Sequence, residues 1–372
     1  MQASELLYYY ALYLSEGIGA QRLVALRTYF GNSEKAFNAS SRELSKVPGF
    51  GKVIVEQLIS LKEESLAIAT KQLSSLPEDT TILTFFDEDY PRSLKDIYNP
   101  PALLFLRGNR DLLSSERNIA VIGTRKMSDY GRRVVTSVCK SFAEQSIVVV
   151  SGFALGIDTA AHKAVFDAGG STIAVLGSGI DVIYPSSNKQ FSKELITSGR
   201  GLIISELPMG ASPDAKNFPW RNRIVSGLSN ASVIIESEEQ GGSMITANIA
   251  LDQNREIYAL PGDVDRPMSR GPNFLLVENR AKPFRTAQDI LKGLGWDSPL
   301  PKGQPIKDRK IGLSKVEEGL VSILETAAEP VHIDQLAERA GLAVQLVLVH
   351  LLDLEFRDIV RQLPGKHFST IF

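Results

Sequence analysis

The spacing of apolar residues divides the 372-residue chain into stretches with different periods. Up to about residue 75, apolar side chains recur every three or four positions, which is typical of amphipathic helices. From about 80 to 295, short apolar runs alternate with helical stretches, and beyond about 310 the helical period returns. We therefore predict a helical domain at 1–75, an α/β domain at 80–295, a linker at 296–310 and a C-terminal domain at 311–372.

The middle stretch contains six apolar runs that predict strands. They are IAVIG (119–123), IVVVS (147–151), IAVLG (173–177), GLIIS (201–205), SVIIE (232–236) and EIYAL (256–260). Runs this apolar, with helices between them, indicate strands buried on both faces of a mostly parallel sheet. TILTFF (81–86) and ALLFLRG (102–108) add candidate strands on the N-terminal side. The pattern predicts a Rossmann-like, doubly wound α/β fold.

Two Gly-x-Gly turns interrupt the first helical stretch, one at Gly17 and Gly19 and the other at Gly49 and Gly51. Each turn leads directly into an amphipathic helix, which resembles a tandem helix-hairpin-helix (SAM-like) domain. Such turns present backbone amides that can contact a phosphate. The alternative is that the glycines only turn the chain between packed helices, and the residues leave both interpretations open.

The C-terminal domain has the outline of a winged helix, with three helices, then two short strands joined by a turn at Pro364-Gly365. Its third helix, LAVQLVLVHLLDLEF, has no Lys or Arg before Arg357 and carries Asp353 and Glu355. A helix that reads duplex DNA needs cationic or amide side chains at the base edges. We expect this domain to dock a protein or to assist assembly.

Composition excludes several classes of protein. No apolar run reaches the roughly 18 residues of a membrane span, and the N-terminus lacks signal-peptide features, so we expect a cytoplasmic protein without membrane contact. The single cysteine, Cys139, excludes an internal disulfide and a cysteine-based zinc site, and the four histidines form no metal-binding pattern. We expect no cofactor. The net charge of −2 argues against a generally basic surface. Residues 107–140 nevertheless contain eight Lys or Arg against three acids.

Glycine and serine loops follow four of the predicted strands. They are GTRK (123–126), SGFALGID (151–158), LGSGID (176–181) and SEEQGGS (237–243). Ligands of open α/β sheets bind beyond the carboxyl ends of the strands, where glycines let backbone N–H groups approach an anion. None of the loops is a dinucleotide fingerprint or a P-loop. Several anion cradles suit a chain of phosphates, although close helix packing would also select glycine.

The segment AKNFPWRNRIVSGLS (215–229) places cations around Phe218 and Trp220 and leads into a helix. A base can stack on an aromatic ring while nearby cations hold its phosphates, which contributes about 1–3 kcal/mol per base for any sequence. This favours stacking for Phe218 over packing in the core. We expect Trp220 to pack inward.

The motifs VIGTRK, SGFALGID, LGSGIDVIYP, FPWRNRIVSGLS, GGSMITA and ALPGD occur in this order and closely resemble the DprA (Smf) family of DNA-processing proteins. The resemblance runs from about residue 80 to 290. It implies sequence-independent binding and protection of single-stranded DNA, loading of RecA in bacterial transformation, dimers formed through the α/β domain, and no catalytic activity.

The resemblance also implies a DNA-binding groove. Arg125, Lys126 and Lys216 become phosphate contacts, and Phe218 becomes the stacking ring. The full set is Gly123, Thr124, Arg125, Lys126, Gly152, Gly177, Ser178, Gly179, Lys216, Asn217, Phe218, Arg221, Asn222, Arg223, Gly241, Gly242 and Ser243.

The sequence also leaves open two interpretations of this protein as an enzyme. GGSMITA distantly resembles a loop of nucleotide phosphoribohydrolases, in which Arg125 would clamp one phosphate and Glu236 or Glu239 would act as the acid, although the flanking Pro-Gly-Gly and Gly-Thr are missing. Asp158 and His162 could work with Ser151 in acid–base chemistry, but an i,i+4 polar pair on a helix is the simpler interpretation. A third alternative is a scaffold that senses nucleotides without catalysis. An enzyme or a sensor would saturate with a mononucleotide, whereas a DNA groove would need several linked phosphates.

Overall fold

A computed structural model describes residues 3–296, 313–327, 330–356, 359–363 and 366–370. The chain divides into two compact units, Met1–Asp297 and Ser298–Phe372. The predicted boundary between the helical and α/β domains falls inside the first unit. The predicted linker lies outside the described residues except for Trp296, and the domain boundaries stay predictions.

The first unit begins with five helices, α1 (Ala3–Leu14), α2 (Ala20–Phe30), α3 (Ser33–Asn38), α4 (Ser41–Leu44) and α5 (Lys52–Ser74). The Gly-x-Gly turns precede α2 and α5. Gly17 and Gly49 have φ values of 81° and 84°, a left-handed conformation that favours glycine. Tyr9 of α1 donates a hydrogen bond to the Ala102 carbonyl oxygen at 2.8 Å, which fastens the helices to the sheet.

Nine strands form the sheet that follows. They are β1 (Thr80–Thr84), β2 (Leu103–Gly108), β3 (Asn118–Ile122), β4 (Val148–Ser151), β5 (Thr172–Val175), β6 (Gly201–Ser205), β7 (Ala231–Ile234), β8 (Glu256–Ala259) and β9 (Lys282–Pro283). Their order is β1-β2-β6-β5-β4-β3-β7-β8-β9, and only β2 runs against its neighbours. The predicted Rossmann-like, mostly parallel sheet is confirmed. Strand β9, which we did not predict, has two residues, one of them a proline.

Eight helices accompany the sheet. They are α6 (Arg92–Lys95), α7 (Asp129–Glu144), α8 (Ile157–Asp167), α9 (Lys189–Thr197), α10 (Asn217–Gly227), α11 (Gly242–Asp252), α12 (Arg270–Val277) and α13 (Ala287–Gly293). Helices α6, α10, α11 and α12 share a core with one face of the sheet. Helices α7, α8 and α13 pack on the opposite face, together with α9 and the N-terminal helices.

Strand β3 is the point where the strand order reverses, because Ile119 pairs with Val149 of β4 on one side and with Ala231 of β7 on the other. Loops leaving β3 and its neighbours diverge at such a point and leave a crevice beyond the carboxyl ends of the strands. The glycine loops predicted from the sequence follow β3, β4, β5 and β7. The fold therefore positions the candidate site here.

The second unit contains α14 (Lys315–Thr326), β10 (Val331–His332), α15 (Ile333–Ala340), α16 (Val344–Phe356), β11 (Val360–Leu363) and β12 (His367–Thr370). Its sheet has the order β10-β12-β11, so the predicted winged-helix outline is confirmed. The turn at Pro364-Gly365 and Arg357 lie outside the described residues. In the described chain no single helix is long and apolar enough to cross a membrane, and α15 with α16 reach that length and hydropathy only when joined across a 104° bend.

Candidate nucleic-acid interface

A groove of about 420 Å³, here called the first groove, opens at the carboxyl ends of β3 and β7. Its lining residues are Ile122, Gly123, Thr124, Arg125, Lys126, Ala154, Asp158, Phe218, Pro219, Arg221, Asn222, Ser237, Glu238, Gly241, Gly242, Ser243, Ile245, Thr246 and Met268. Ten of the seventeen predicted site residues are among them. The groove thus brings together the loop after β3, the start of α10 and the doubled glycine before α11.

The loop after β3 is fixed by backbone hydrogen bonds. Thr124 donates from its backbone nitrogen to the Glu236 carbonyl at 2.7 Å and accepts from Ile157 at 3.1 Å, which ties the loop to the end of β7 and to α8. Lys126 donates from its backbone nitrogen to the Thr124 hydroxyl at 3.1 Å. A side chain at Gly123 would overlap Ile157. Gly123 therefore serves close helix packing, while the loop holds Arg125 at the groove.

Phe218 lies near a cation and near a second aromatic ring. The Arg125 guanidinium carbon is 5.1 Å from the Phe218 ring centroid, and the Tyr184 ring is 5.9 Å away at 46°. A Cβ at Gly177 would come within 2.8 Å of the Phe218 ring, so glycine leaves the ring its place. Our sequence reasoning missed Tyr184, although it belongs to the LGSGIDVIYP motif. The arrangement offers a partly exposed aromatic surface beside a positive charge.

Arg221 is buried directly beneath the first groove. Its guanidinium donates to the Val175 carbonyl, and its Nε has no hydrogen-bond partner in the described part of the chain. A Cβ at Gly152 would lie 2.6 Å from both this guanidinium and the Asp158 carboxylate, so the glycine makes room for the two charges. Burial lowers the pKa of Arg221 to about 10 and raises the pKa of Asp158 to about 6, with each charge opposing the shift of the other.

The doubled glycine forms the first turn of α11. Gly241 is the N-cap and supplies no side-chain cap, so the first backbone N–H groups of this helix lack a capping side chain. Ser243 donates to the Ser237 hydroxyl at 2.9 Å, which fixes the loop. Apart from its chain neighbours and the backbone of its own helix, no heavy atom of the described residues lies within 4 Å of a Cβ placed at Gly242. An uncapped helix start that faces an open groove favours an anion.

Seven of the predicted residues do not line the first groove, and four of them lie in the loop after β5 and at the start of α10. Lys216 is 81% exposed, and its Nζ lies 3.5 Å from the Asp214 carboxylate. Asn217 donates to the Ser212 carbonyl at 3.4 Å. Ser178 is buried and donates to the Val182 carbonyl at 2.6 Å, and a Cβ at Gly179 would lie 2.7 Å from the Pro208 carbonyl oxygen. Among these four, Lys216 has the exposure that a phosphate contact requires.

Arg223, which like Gly152 and Gly177 does not line the first groove, forms a buried ion pair. It donates to both carboxylate oxygens of Glu206, at 2.6 and 2.8 Å, and both side chains are 7% exposed. Its Nε donates to the Asn99 carbonyl at 3.0 Å. These contacts hold α10 against the loop before β2 and leave Arg223 outside the first groove.

Trp220 is 46% exposed, so the expectation that it packs inward is wrong. Helix α10 begins at Asn217, and the two-residue step from Phe218 to Trp220 corresponds to about 200° around a helix axis. Phe218 therefore faces the first groove and Trp220 points away from it. The Arg223 guanidinium carbon lies 4.4 Å from the Trp220 ring centroid.

The groups proposed for acid–base chemistry each have structural partners. His162 is buried, its Nδ1 lies 2.6 Å from the Thr172 hydroxyl, and burial lowers its pKa to about 3. Ser151 donates to the Val121 carbonyl at 2.6 Å. The Glu236 carboxylate accepts from the Ser128 backbone nitrogen at 2.9 Å at the start of α7 and does not line the first groove. The described residues contain no group of three His, Cys, Asp or Glu that could hold a metal ion.

Comparison with known proteins gives matches along most of the chain. The family model for DNA recombination-mediator protein A matches residues 81–295, and the model for the DprA winged helix domain matches residues 305–366. Protein Smf of Synechocystis is 32% identical over 99% of this chain and all of its own length. DNA processing protein DprA of Bacillus subtilis is 41% identical over 56% of this chain and 69% of its own.

Two solved structures share the fold. DprA of Streptococcus pneumoniae superposes with a TM-score of 0.67 and 33% identity, covering 77% of this chain and 97% of its own. DNA processing protein A of Helicobacter pylori gives a TM-score of 0.53 and 29% identity, covering 59% of this chain and 96% of its own. That structure is described as giving insight into a unique single-stranded DNA binding mode.

Proposed function

This chain belongs to the DprA (Smf) family of DNA recombination-mediator proteins, and we propose that it binds single-stranded DNA without sequence preference in the first groove. The observation that carries the proposal is the partly exposed Phe218 ring beside Arg125, in a groove that also receives the uncapped start of α11. An aromatic face stacks on any base, and cations and amides bind phosphates. These contacts carry no sequence information.

The charges around the first groove support a polyanionic ligand. Arg125 and Lys126 line it, Lys216 is exposed beside the start of α10, and Arg221 is buried beneath it with an Nε that has no partner among the described residues. A single nucleotide would need one anion cradle, whereas consecutive phosphates can use several. We propose that Arg125, Lys126 and Lys216 contact phosphates along the strand.

We further propose the activities implied by the family resemblance. The protein protects the bound strand and loads RecA onto it during transformation and recombination, acts in the cytoplasm as a dimer formed through the α/β domain, and catalyses no reaction. The engaged side chains of Glu236 and Ser151 support the last point against a phosphoribohydrolase or acid–base mechanism. The winged-helix unit is proposed to dock a protein.

Titration of labelled oligothymidylates of increasing length, followed by fluorescence anisotropy, tests the DNA proposal. We expect the affinity to rise with length and to fall steeply with salt, and we expect unlabelled AMP or duplex DNA to compete poorly. Arg125→Ala and Lys216→Ala are each expected to reduce the slope of log affinity against log salt by about 0.7. Lys140→Ala, an exposed cation of α7 outside the groove, controls for general charge.

The same titration distinguishes the alternative ligands. Saturation by AMP, or an affinity that does not depend on length, would contradict the DNA proposal and favour a mononucleotide site. RecA loading is tested separately by the lag in RecA-dependent ATP hydrolysis on a strand coated with single-stranded DNA-binding protein. We expect this protein to shorten the lag and Phe218→Ala to lose that effect.

A further inference from the structure

A second groove, of about 540 Å³, lies in the same unit beside the start of α10. Its lining residues are Gly19, Ala20, Gln21, Arg22, Ala25, Pro48, Gly49, Asn99 and Trp220. It therefore joins both Gly-x-Gly turns of the N-terminal helices to the tryptophan that points away from the first groove. We call it the second groove.

Trp220 is held in a fixed position with much of its ring in solvent. The Arg223 guanidinium stacks on the indole at 4.4 Å, and Arg223 is itself fixed by Glu206 and by the Asn99 carbonyl. The side chain remains 46% exposed. A large aromatic ring that is held rigidly at a groove surface offers a stacking face at low entropic cost.

The remainder of the second groove suits a phosphate backbone. Arg22 donates to the Gly17 carbonyl at 2.7 Å with one of its five donors, which fixes the guanidinium and leaves other N–H groups available. The described residues that line the groove include no acid. Among the described residues other than its chain neighbours, none has a heavy atom within 4 Å of a Cβ at Gly49, so the turn is open to close approach.

We infer that the second groove binds the continuation of the strand held in the first groove, with a base stacked on Trp220 and a phosphate contacting Arg22. The inference rests on the proposed function. The first turn of α10 connects the two grooves, because Phe218 lines one and Trp220 the other. Lys216, 81% exposed immediately before this helix, lies at the end around which the strand passes.

The geometry sets a length requirement. A helix with its side chains is roughly 10–12 Å across, and stacked nucleotides advance the strand by about 3.4 Å each, so the strand needs about three or more nucleotides to pass from one ring to the other. A short oligonucleotide can fill the first groove alone. Only a longer strand reaches both.

The test measures the affinity of Trp220→Ala and Phe218→Ala for oligothymidylates of about 2 and about 20 nucleotides, since the short strand cannot reach both rings and the long strand exceeds typical single-strand site sizes. We expect Trp220→Ala to weaken binding of the long strand roughly fivefold or more and to leave the short strand unaffected. Phe218→Ala is expected to weaken both. Trp220→Phe retains a stacking ring and is expected to keep most of the affinity for the long strand.

Fluorescence provides a direct second measurement. The chain contains two tryptophans, so Trp296→Phe leaves Trp220 as the only indole. In this variant we expect the long strand to quench the emission and the short strand to change it little. Arg22→Ala is expected to lower the salt slope by about 0.7 for the long strand only, with Lys140→Ala as the charge control.

The outcomes are distinguishable. If Trp220→Ala binds the long strand as tightly as the unchanged protein, and Trp220 emission stays constant, the second groove does not hold the strand, while the proposed function stands. An equal loss for both lengths would assign Trp220 to the first groove and overturn the inference. If the unchanged protein binds neither strand, the proposed function itself fails. Thermal unfolding of each variant verifies that the fold is retained.

Discussion

The guanidinium of Arg125 lies over the ring of Phe218, 5.1 Å from its centroid, although the two residues are 93 positions apart in the sequence. The loop after β3 supplies the cation and the first turn of α10 supplies the ring. Both elements meet at the carboxyl edge of the sheet because β3 is where the strand order reverses. A stacked base and its phosphate can therefore contact two distant parts of the sequence at one position.

Replacement of Phe218 by alanine distinguishes the contribution of base stacking to DNA affinity from that of charge. We expect Phe218→Ala to weaken single-stranded DNA binding by about 1–3 kcal/mol, because one base loses its stacking partner. The salt slope is expected to stay unchanged, since no cation is removed. Anisotropy titrations at several salt concentrations measure both quantities. A large loss of thermal stability would instead show that the ring belongs to the core.

The start of α11 offers a test of backbone approach. A Cβ at Gly242 meets no described residue outside its own helix and its chain neighbours within 4 Å, so Gly242→Ala is expected to leave the free fold unaffected. The added methyl group would project into the space that a phosphate needs, and we expect weaker DNA binding. Gly319→Ala is the matched control, because Gly319 is also helical with open space around it but lies in the second unit.

Thermal unfolding and DNA affinity, measured for both glycine variants, show whether the DNA strand approaches the start of α11. The Gly319→Ala control is expected to gain up to about 1 kcal/mol of stability and to bind DNA normally. Unchanged DNA affinity in Gly242→Ala would show that the strand does not approach this turn.

Strand positions were predictable because burial on both faces leaves a local signature. The run IAVIG contains nearly all of β3, and its side chains are buried. Strand β9 has no such signature, since two residues, Lys282 and Pro283, do not make a hydrophobic run. Helix α10 begins at Asn217 and includes Pro219, because proline is tolerated in a first turn, where its N–H is not needed.

The glycine loops after β3 and β7 predicted lining residues of the first groove, whereas the predicted glycines after β4 and β5 do not line it. Within α10 the sequence did not distinguish lining residues from buried ones. The sequence places Arg221 and Arg223 two residues apart with equal chemistry. Their environments differ because Arg223 meets Glu206, whereas Arg221 lies beneath Gly152 near Asp158. Such partners come from other elements of the fold and leave no pattern within the helix. The exposure of Trp220 depends in the same way on where α10 begins.

Because the Asp158 carboxyl group lines the first groove, we predict that DNA binding depends on pH. Burial raises its pKa to about 6 from an ordinary value of 3.8, although the Arg221 charge opposes the shift. A fall in pH through 6 therefore protonates Asp158 and removes a negative charge from the lining of the first groove. We expect DNA affinity to rise as the pH falls from about 7.5 to about 5.5.

Asp158→Asn identifies the group responsible. This variant mimics the protonated carboxyl, so we expect it to bind more tightly at neutral pH and to show little change between pH 7.5 and 5.5. His162 does not interfere, because burial lowers its pKa to about 3 and it stays neutral over this range. Equal pH profiles for the variant and the unchanged protein would assign the dependence to another group.

We predict that removing one partner of the buried Arg223–Glu206 ion pair strongly lowers the stability of the fold. Both side chains are 7% exposed, so Glu206→Ala leaves a buried guanidinium without its counter-charge. We expect a loss of about 3–5 kcal/mol in the free energy of unfolding, measured by urea denaturation.

Asp79→Ala breaks the more exposed pair with Arg107 and is expected to cost about 1 kcal/mol or less. A double variant, Glu206→Ala with Arg223→Leu, removes both charges and is expected to recover much of the loss, because a buried pair replaced by apolar groups is often neutral. A cost of under about 1 kcal/mol for Glu206→Ala alone would mean that water reaches and solvates Arg223.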